Sequence, residues 1–428
     1  MKINNALKLV VIILVSGLLG YFFGVNKVNL DWKNYKPSIK ILNQEPPSGL
    51  SAIDFSLFWT VWQKIELTYY DKTKLDGKKM LNGAIDGMIQ SLGDPFTVYL
   101  PPVQNTNFKQ GLAGQFSGIG AELGTKDKQI IVIAPLDDSP AKKQGIKAGD
   151  LILKVDGVST NGWSLAQTVD KIRGLKGTSV TLNILHKDAQ SPINIAIVRD
   201  TITVKSVVSN LKYVKKNAKG GIDVTEDKCD ECQKVGYVRL SQFGDATNQD
   251  WLAVVNKLNL EMKNAKNVKG LVFDLRDNPG GYLTDAVFIA SEFIKPGMVV
   301  VEEEDSVKNI TKLSVNRQGL FYDIPLIVLV NKGSASASEI VSGALRDNKR
   351  AKLVGENSFG KGTVQQAEDL GDGAGLHVTV AKWLTPNGTW VNNIGGSGGL
   401  KPDVTVSLDP KDPSKDTQLE KAVEELLK

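Results

Sequence analysis

The sequence predicts a multidomain α/β protein. Its 428 residues exceed the roughly 100–200 residues of a typical domain, so two or three domains are expected. From Val235 onward, short apolar runs alternate with helical patterns, which is typical of a sheet covered by helices. The predicted strands span 235–240, 271–275 and 325–330, and the predicted helices span 251–262 and 283–293. Shorter strands and compact helices from Ser117 onward predict a second, smaller domain upstream.

Composition and charge narrow the class of protein further. Hydrophobic residues make up 41% and charged residues 23% of the chain, a balance typical of a globular protein with a large core. The 52 basic and 47 acidic residues leave a net charge of +5 without a basic stripe, so nucleic acid is not an expected partner. The two histidines, His186 and His377, are too few for a histidine-rich metal site, and neither a metal nor an organic cofactor is expected.

The N-terminal segment indicates a membrane anchor. Residues 9–26 carry no charge over 18 positions, which just reaches the length that crosses a bilayer, and Lys2 and Lys8 precede them. Residues 1–27 are therefore predicted to form an uncleaved transmembrane anchor that leaves the rest of the chain outside the cytoplasm, on the periplasmic or extracellular side. A cleaved signal peptide and a buried core helix are the alternatives. The polar, proline-containing residues 28–50 are predicted to form a linker.

Helical patterns follow the predicted linker. A first helix is predicted around 53–65 and a second over 81–92, where Gly93 and Pro95 end it. These helices define an N-terminal helical segment at 51–105.

One serine stands where a protein can expose a nucleophile. The predicted strand 325–330 leads into the small residues Gly333-Ser334-Ala335-Ser336-Ala337-Ser338 and then into a helical pattern. The start of a helix provides free N–H groups and positive potential for a developing oxyanion, and small side chains let a substrate approach. Ser336 is therefore the candidate nucleophile.

A serine hydroxyl needs a base, and the sequence favours a lysine. Histidine is scarce, and His377 falls within a predicted strand over 376–384, so a lysine kept neutral by partial burial is the better candidate. Lys361 lies between two glycines that allow close backbone approach, and Phe359 is predicted to shield it from water. Gln365, four residues on, is predicted to hydrogen-bond the amine and orient it.

A glycine-containing turn supplies the third part of the predicted site. The segment Asp277-Asn278-Pro279-Gly280-Gly281 follows the strand 271–275, at the carboxyl end where α/β sheets place ligands. The N–H groups of Gly280 or Gly281, together with that of Ala337, are predicted to form an oxyanion hole. Taken singly, the three patterns are more often a helix cap, a solvated lysine and an ordinary turn.

Taken in order, the three segments resemble a known family. Residues 274–281, 333–340 and 360–365 together look like the signature of the carboxy-terminal processing peptidases. The resemblance covers roughly residues 52 to 408, including 93–99 and 400–404. It implies a serine peptidase with a Ser/Lys dyad on a crotonase-like α/β core that carries an inserted PDZ domain. By this resemblance Ser336 is the nucleophile, Lys361 the general base and Gln365 its positioner.

The resemblance also assigns the domains. Residues 106–204 are expected to form the PDZ domain, and 205–428 the peptidase core with a C-terminal tail. The carboxylate-binding loop of a PDZ domain, whose N–H groups hold a peptide's C-terminus, is similar to Gly118, Ile119, Gly120 and Ala121. An ordinary glycine-rich turn is the alternative for that loop. Arg173 is the candidate gating contact, and a solvated arginine at a helix end is its alternative.

Three other patterns have competing interpretations. Cys229 and Cys232 lie in a charged loop where an exported protein is expected to form a disulfide, with a free thiol pair or a weak metal contact as alternatives. Ser358 and Lys361 fit S-x-x-K, but the glycines disfavour the helix which that chemistry requires. Residues 355–361 fit the start of a phosphate-binding loop, but Gly362 replaces the Ser or Thr that binds Mg²⁺.

The sequence thus predicts a membrane-anchored, extracytoplasmic serine endopeptidase that recognises substrate C-termini through its PDZ domain. Its expected partners are proteins or peptides with exposed C-termini and the membrane, and a second copy of the chain or an adaptor protein are further candidates. The alternative from another class is an exported, catalytically inactive PDZ scaffold, because a fold does not guarantee activity.

Overall fold

A computed structural model describes most of the chain. The described residues are 16–17, 28–33, 36–41, 54–126, 129–136, 138–187, 189–216, 221–392, 398–409, 412 and 415–428. The chain divides into two compact units, Met1–Leu81 and Asn82–Lys428. The predicted membrane segment 9–26 lies outside the described residues except for 16 and 17. Among the helices that are described, none has the length and apolar character needed to cross a bilayer.

The elements of the described residues are numbered here in chain order. The helices are α1 (Ser56–Thr68), α2 (Gly77–Gln90), α3 (Pro102–Leu112), α4 (Pro140–Lys143), α5 (Leu165–Ile172), α6 (Thr247–Asn264), α7 (Leu283–Ala290), α8 (Ala337–Asp347) and α9 (Thr417–Leu426). The strands of the first half are β1 (Val28–Lys33), β2 (Lys36–Ile41), β3 (Val98–Leu100), β4 (Gln115–Gly118), β5 (Ala121–Lys126), β6 (Gln129–Pro135), β7 (Leu151–Val155), β8 (Val158–Ser159), β9 (Ser179–Leu185), β10 (Ile193–Val198) and β11 (Asp200–Thr203). Those of the second half are β12 (Val207–Lys216), β13 (Ile222–Thr225), β14 (Gln233–Leu240), β15 (Val268–Asp274), β16 (Val299–Asp305), β17 (Ile310–Ser314), β18 (Leu326–Val330), β19 (Lys352–Gly355), β20 (Thr363–Gly371), β21 (Ala374–Leu384) and β22 (Val404–Thr405).

Part of the predicted linker forms regular structure instead. Strands β1 and β2 pair antiparallel, with Leu30 opposite Ile39 and Val28 opposite Ile41. Apolar and polar residues alternate along β1, which is the pattern of a strand, and this alternation was hidden in the overall polar composition of 28–50. The linker assignment is therefore wrong for 28–33 and 36–41.

The small domain is a β-structure with two short helices. Strands β10, β9, β7, β6 and β5 form one sheet in that order, and β8 pairs with β7. Its core is aliphatic and includes Val132, Leu182, Ile184 and Ile197, all fully buried. Helix α5 begins with a capping box in which Ser164 and Gln167 bond each other's backbone N–H groups. Ser139 caps helix α4 in the same part of the domain, where its side chain accepts from the Lys142 N–H.

The large sheet carries the predicted alternation of strands and helices. Its strand order is β13-β12-β14-β15-β18-β19-β22, and the pairs from β14 to β22 are parallel. The five elements predicted between residues 235 and 330 are confirmed; the largest shift is at α6, which begins at Thr247 rather than Trp251. Because parallel strands end at the same edge of a sheet, the loops after β15, β18 and β19 meet there. These loops carry Gly280, Ser336 and Lys361 respectively.

Two apolar layers cover this sheet. Alternate residues of β18 point to opposite faces, so that Val328 joins the core beneath α6, α7 and α8, while Ile327 and Leu329 join the core beneath α9. The first core is rich in aromatic side chains, with Trp251, Phe273 and Phe293 in mutual contact. A separate sheet, β17-β16-β21-β20 with β3 on β21, stands beside the loops at the carboxyl edge.

A buried ionic network fastens the C-terminal helix α9 to the sheet. Arg276 is 6% exposed and bonds Asp274 Oδ2 at 2.6 Å, Asp416 Oδ2 at 2.8 Å and Gln418 Oε1 at 3.1 Å. Tyr237 also donates to Asp274 Oδ2, at 2.8 Å.

Replacing Arg276 with Met should lower the free energy of unfolding by about 3–5 kcal/mol, because Asp274 would keep its buried charge with only Arg239, at 3.9 Å, as a remaining cation. Urea denaturation measures the change. The control is Lys295→Met, which removes an exposed ion pair with Asp323 at 4.0 Å and should change stability little. Equal effects of the two substitutions would contradict a stabilising role for the network.

Candidate active site

Ser336 lies at the N-terminus of α8 in a strained backbone conformation. Its φ of 55° and ψ of −115° are unusual for a residue with a side chain and cost of order 1–3 kcal/mol. The preceding turn is held rigidly, because Ser334 Oγ donates to the Leu275 carbonyl at 2.8 Å and Ala335 N–H donates to the Asn278 carbonyl at 3.0 Å. The turn after β15 therefore supports the turn that carries Ser336.

Glu339, one turn into α8, connects the two loops that carry Ser336 and Lys361. Its side chain is fully buried. One oxygen accepts from Ser336 N–H at 2.8 Å and Lys361 N–H at 2.9 Å, and the other accepts from Gly360 N–H at 2.7 Å and Ser358 Oγ at 2.6 Å. Burial raises the pKa of Glu339 above its ordinary value, and these four hydrogen bonds oppose that rise by stabilising the carboxylate.

Lys361 reaches into the site from the loop between β19 and β20. Its Nζ lies 5.3 Å from the ring centroid of Phe96, and its carbonyl accepts from Trp383 Nε1 at 2.9 Å. Burial lowers the pKa of the Lys361 amine below that of a free lysine, while the charges of Asp94 and Glu339 oppose the shift.

The aromatic ring beside Lys361 is not the predicted one. Phe359 is 47% exposed, whereas Phe96 lies over the amine. Asp94 fixes the Phe96 turn by accepting from Phe96 N–H at 3.0 Å and from Thr97 Oγ1 at 2.6 Å. The prediction that Phe359 shields the lysine is wrong because the shielding ring comes from a part of the chain remote in sequence.

Two of the three predicted oxyanion donors have free N–H groups. Gly280 N–H donates to Asn278 Oδ1 at 2.9 Å, so this group is already occupied. Within the described residues, the N–H groups of Gly281 and Ala337 donate to no backbone or side-chain acceptor. Of the two glycines, Gly281 is therefore the one whose N–H is available to a ligand oxygen.

Both glycines are required by close packing. At Gly280, with φ of 96°, a Cβ would lie 2.8 Å from the Ser336 Cβ. At Gly281, with φ of 144°, a Cβ would lie 1.6 Å from the Phe243 carbonyl oxygen. Their backbone can approach the Ser336 turn because neither residue has a side chain.

Gln365 lies on β20 but does not bond Lys361 in this structure. Its Nε2 donates to Thr363 Oγ1 at 2.8 Å and to Thr379 Oγ1 at 3.2 Å. No hydrogen bond joins Ser336 Oγ to Lys361 Nζ within the part of the chain that the structure describes.

A cavity of about 470 Å³ brings most of the predicted groups together. Its lining includes Ser336, Lys361, Gln365, Gly280 and Gly281. The remaining wall is mainly apolar and is formed by Phe96, Val98, Leu100, Phe108, Leu112, Ile340, Val364 and Trp383 among others. Such a cavity can desolvate a lysine and accept an apolar segment of a ligand.

Ser358 has a structural place instead. It is 6% exposed, its Oγ donates to Glu339 and accepts from Leu400 N–H at 2.6 Å. It does not line the cavity that contains Lys361. The sulfur atoms of Cys229 and Cys232 form a disulfide in the turn between β13 and β14, away from the cavity.

The predicted carboxylate-binding loop lies between β4 and β5. The carbonyls of Ile119 and Gly120 accept hydrogen bonds from the N–H groups of Ala141 and Leu136 respectively. The N–H groups of Ile119 and Gly120 themselves have no acceptor among the described residues. Gly120 has φ of 72° and contacts Ser139 so closely that a Cβ would lie 2.4 Å from the serine Cβ.

Arg173 lies at the end of α5 and lines a second cavity, of about 680 Å³. Its guanidinium lies 5.2 Å from the ring centroid of Phe116. Gln242 lines both cavities, and its Nε2 donates to the Gly111 carbonyl at 2.7 Å. Arg173 does not line the first cavity, which contains Ser336 and Lys361.

Sequence reasoning missed Glu339 and Phe96 as site residues. The pattern Ser336-x-x-Glu339 before a helix is that of a capping box, which could have marked the glutamate as a group that bonds the Ser336 backbone. No local signal connects Phe96 to Lys361, because their contact depends on how β3 pairs with β21.

Glu339→Gln should slow the reaction of Ser336 with a fluorophosphonate by about a hundredfold. The amide nitrogen would replace one carboxylate oxygen, and it cannot accept the two hydrogen bonds that this oxygen receives. The phosphonylation rate is followed by mass spectrometry, with the melting temperature measured in parallel. The control is Glu356→Gln on the loop that also carries Lys361. Glu356 lies outside the cavity, so this variant should react like wild type. An unchanged rate in Glu339→Gln would show that the two loops do not depend on this carboxylate.

Three known protein families match parts of the chain. The profile of peptidase family S41 matches residues 234–406, that of the PDZ domain matches 107–185, and that of the activating protease CtpB N-terminal domain matches 14–102. Carboxy-terminal processing protease CtpA of Bacillus subtilis (strain 168) is 36% identical over 349 residues, which cover 81% of this chain and 68% of that protein. CtpB of the same strain is 33% identical over 398 residues, covering 92% and 75%.

A solved structure agrees with these sequence matches. The photosystem II D1 C-terminal processing protease is 31% identical, with a TM-score of 0.50 and coverage of 85% of this chain and 96% of that one. Identity above 30% over more than two thirds of each relative is enough to assign a family. The chain belongs to peptidase family S41 and is a PDZ-containing serine peptidase of the carboxy-terminal processing group.

Proposed function

We propose that the protein is a membrane-anchored, extracytoplasmic endopeptidase that hydrolyses peptide bonds with a Ser336/Lys361 dyad. The observation that carries the proposal is the cavity in which Ser336, at a helix N-terminus, faces the same space as a lysine whose pKa is lowered by burial. A serine hydroxyl and a neutral amine in a desolvated pocket are the groups that acyl transfer requires.

In the proposed reaction, Lys361 accepts the Ser336 proton as the serine oxygen attacks the substrate carbonyl. The resulting oxyanion receives hydrogen bonds from the N–H groups of Gly281 and Ala337. The Lys361 ammonium then gives its proton to the departing amine, and water hydrolyses the acyl-enzyme by the same steps in reverse. Proton transfer requires Nζ within about 3.2 Å of Ser336 Oγ in the substrate complex.

Recognition of the substrate is assigned to the small domain. The free N–H groups of Ile119 and Gly120 can hold a terminal carboxylate, and the peptide would add as a strand beside β5. Arg173 and the second cavity adjoin this loop through Phe116 and Ser117, which supports a gating role for Arg173. The uncharged segment 9–26 supports the anchor and the export of the catalytic body.

Cleavage of an unstructured protein should be lost in Ser336→Ala and in Lys361→Ala and retained in Ser358→Ala. Removal of the nucleophile or its base should reduce the rate by at least about 10³-fold. Ser358→Ala should retain most of the rate because it removes hydrogen bonds to Glu339 and Leu400 only. Gel-based cleavage assays on the whole chain, with fluorophosphonate labelling of Ser336, measure these effects.

Substrates with a free C-terminal carboxylate and with a C-terminal amide separate the two parts of the proposal. Slower cleavage of the amide supports recognition by the Gly118–Ala121 loop, whereas equal rates contradict it. Loss of cleavage in Ser358→Ala with retention in Ser336→Ala would overturn the assignment of the nucleophile. A wild-type protein that binds C-terminal peptides without cleaving any would favour an inactive scaffold.

The cleavage rate should rise with pH, because only the neutral amine of Lys361 can accept the serine proton. Burial lowers the Lys361 pKa, so the rise should be centred below the ~10.4 of a free lysine. The Asp94 charge opposes that shift, so Asp94→Asn should move the midpoint to lower pH. Asp369→Asn, an exposed change on β20, is the control for kcat/KM against pH, and a flat profile would contradict a lysine base.

A further inference from the structure

His377 is a polar side chain in the active-site cavity to which the reaction assigns no role. It lies on β21 between Val98 of β3 and Ala367 of β20, which are its direct cross-strand partners. All three residues line the cavity of Ser336 and Lys361, so their side chains share one face of this sheet. The imidazole is partly buried and packs edge-on against Phe108 of α3, with 4.4 Å between ring centroids. This contact restricts the orientation of the ring.

Most other polar side chains of the cavity wall are already occupied. Gln242 donates to Gly111, and Gln365 donates to Thr363 and to Thr379. The ring nitrogens of His377, in contrast, form no hydrogen bond or ion pair within the described residues. A partly buried polar group without a protein partner, in a wall made mainly of apolar side chains, is available to bond a polar group of a ligand.

The charge state of His377 decides what it can bind. Burial, and then the nearby Lys361 amine, lower its pKa below the ordinary histidine value. The lowered pKa favours the neutral ring, which presents one N–H donor and one nitrogen acceptor. A substrate carboxylate here would stabilise the charged form of Lys361 and raise its pKa, which opposes its use as a base. An uncharged polar group suits the site better.

We propose that His377 is a specificity-determining residue, which hydrogen-bonds an uncharged polar side chain of the substrate, a carboxamide or a hydroxyl, in the subsite formed with Val98, Ala367 and Phe108. This proposal rests on the proposed peptidase function and names its substrate class more closely. An apolar side chain of the same size would fill the same space and leave the imidazole nitrogens without partners, at the cost of an unsatisfied polar group.

The test uses peptide pairs that differ by Asn or Leu at a single position, because these side chains have nearly the same shape. Each position on either side of the scissile bond is varied in turn, and the two peptides compete in one reaction so that the product ratio gives the ratio of kcat/KM. At one position, wild type should prefer Asn over Leu by about tenfold. His377→Phe retains the ring packed against Phe108 but removes both nitrogens, and it should abolish this preference.

Matched variants separate hydrogen bonding from packing. His377→Gln restores a donor and an acceptor and should keep the preference for Asn, whereas His377→Leu should lose it as His377→Phe does. The rate of Ser336 phosphonylation by a fluorophosphonate is measured in all three variants, because this probe carries no Asn or Leu side chain and reports only whether Ser336 still reacts. If His377→Phe does not fold, His377→Leu provides the same comparison.

Two results would overturn the proposal, and they differ from failure of the proposed function. An Asn-to-Leu ratio that is the same in wild type, His377→Phe and His377→Leu at every position would show that the imidazole does not select substrates. Loss of phosphonylation in His377→Gln and His377→Phe would show a structural or catalytic role instead. A wild-type protein that neither cleaves peptides nor reacts with the fluorophosphonate would overturn the peptidase proposal itself, and this one with it.

Discussion

The buried carboxylate of Glu339 is the constraint on which the site depends. Its two oxygens accept four hydrogen bonds from the loops after β18 and β19. A buried carboxylate without these donors would be costly, so the two loops are held in one arrangement. One consequence is that the strained φ of Ser336 persists, because its N–H is bonded to the Glu339 carboxylate. The parallel sheet brings the loops near each other, and Glu339 sets their relative position.

The surroundings of Lys361 act on its pKa in opposite directions. Phe96 and the apolar wall remove water from the amine, which favours its neutral form, while the negative charges of Asp94 and Glu339 favour the ammonium. A lysine base needs both influences, since it must be neutral to accept a proton and charged to release one to the leaving group. The loop that carries Asp94 and Phe96 lies outside the large sheet and approaches through the pairing of β3 with β21.

Several details of the site were accessible from the sequence because they depend on local patterns. Small residues between a strand and a helix marked Ser336, and a lysine between glycines marked Lys361. Other details were not accessible. Phe359 was the nearest aromatic residue in sequence, yet Phe96 covers the amine, and Gly280 N–H is taken up by Asn278 while that of Gly281 is free. The alternation hidden in 28–41 shows that average composition can conceal a strand.

The sequence by itself determined the family, five elements of the large α/β domain (β14, α6, β15, α7 and β18), and the loops that carry the candidate reactive groups Ser336 and Lys361. Periodicity and turn residues act over a few positions, so each element of the large sheet could be assigned from its own segment. Only the tertiary structure decided which groups are shielded, which N–H groups remain free and which polar side chains, such as His377, face the cavity without a partner. These properties depend on residues that packing brings together from distant parts of the chain. A pattern within a few neighbouring residues cannot predict such contacts.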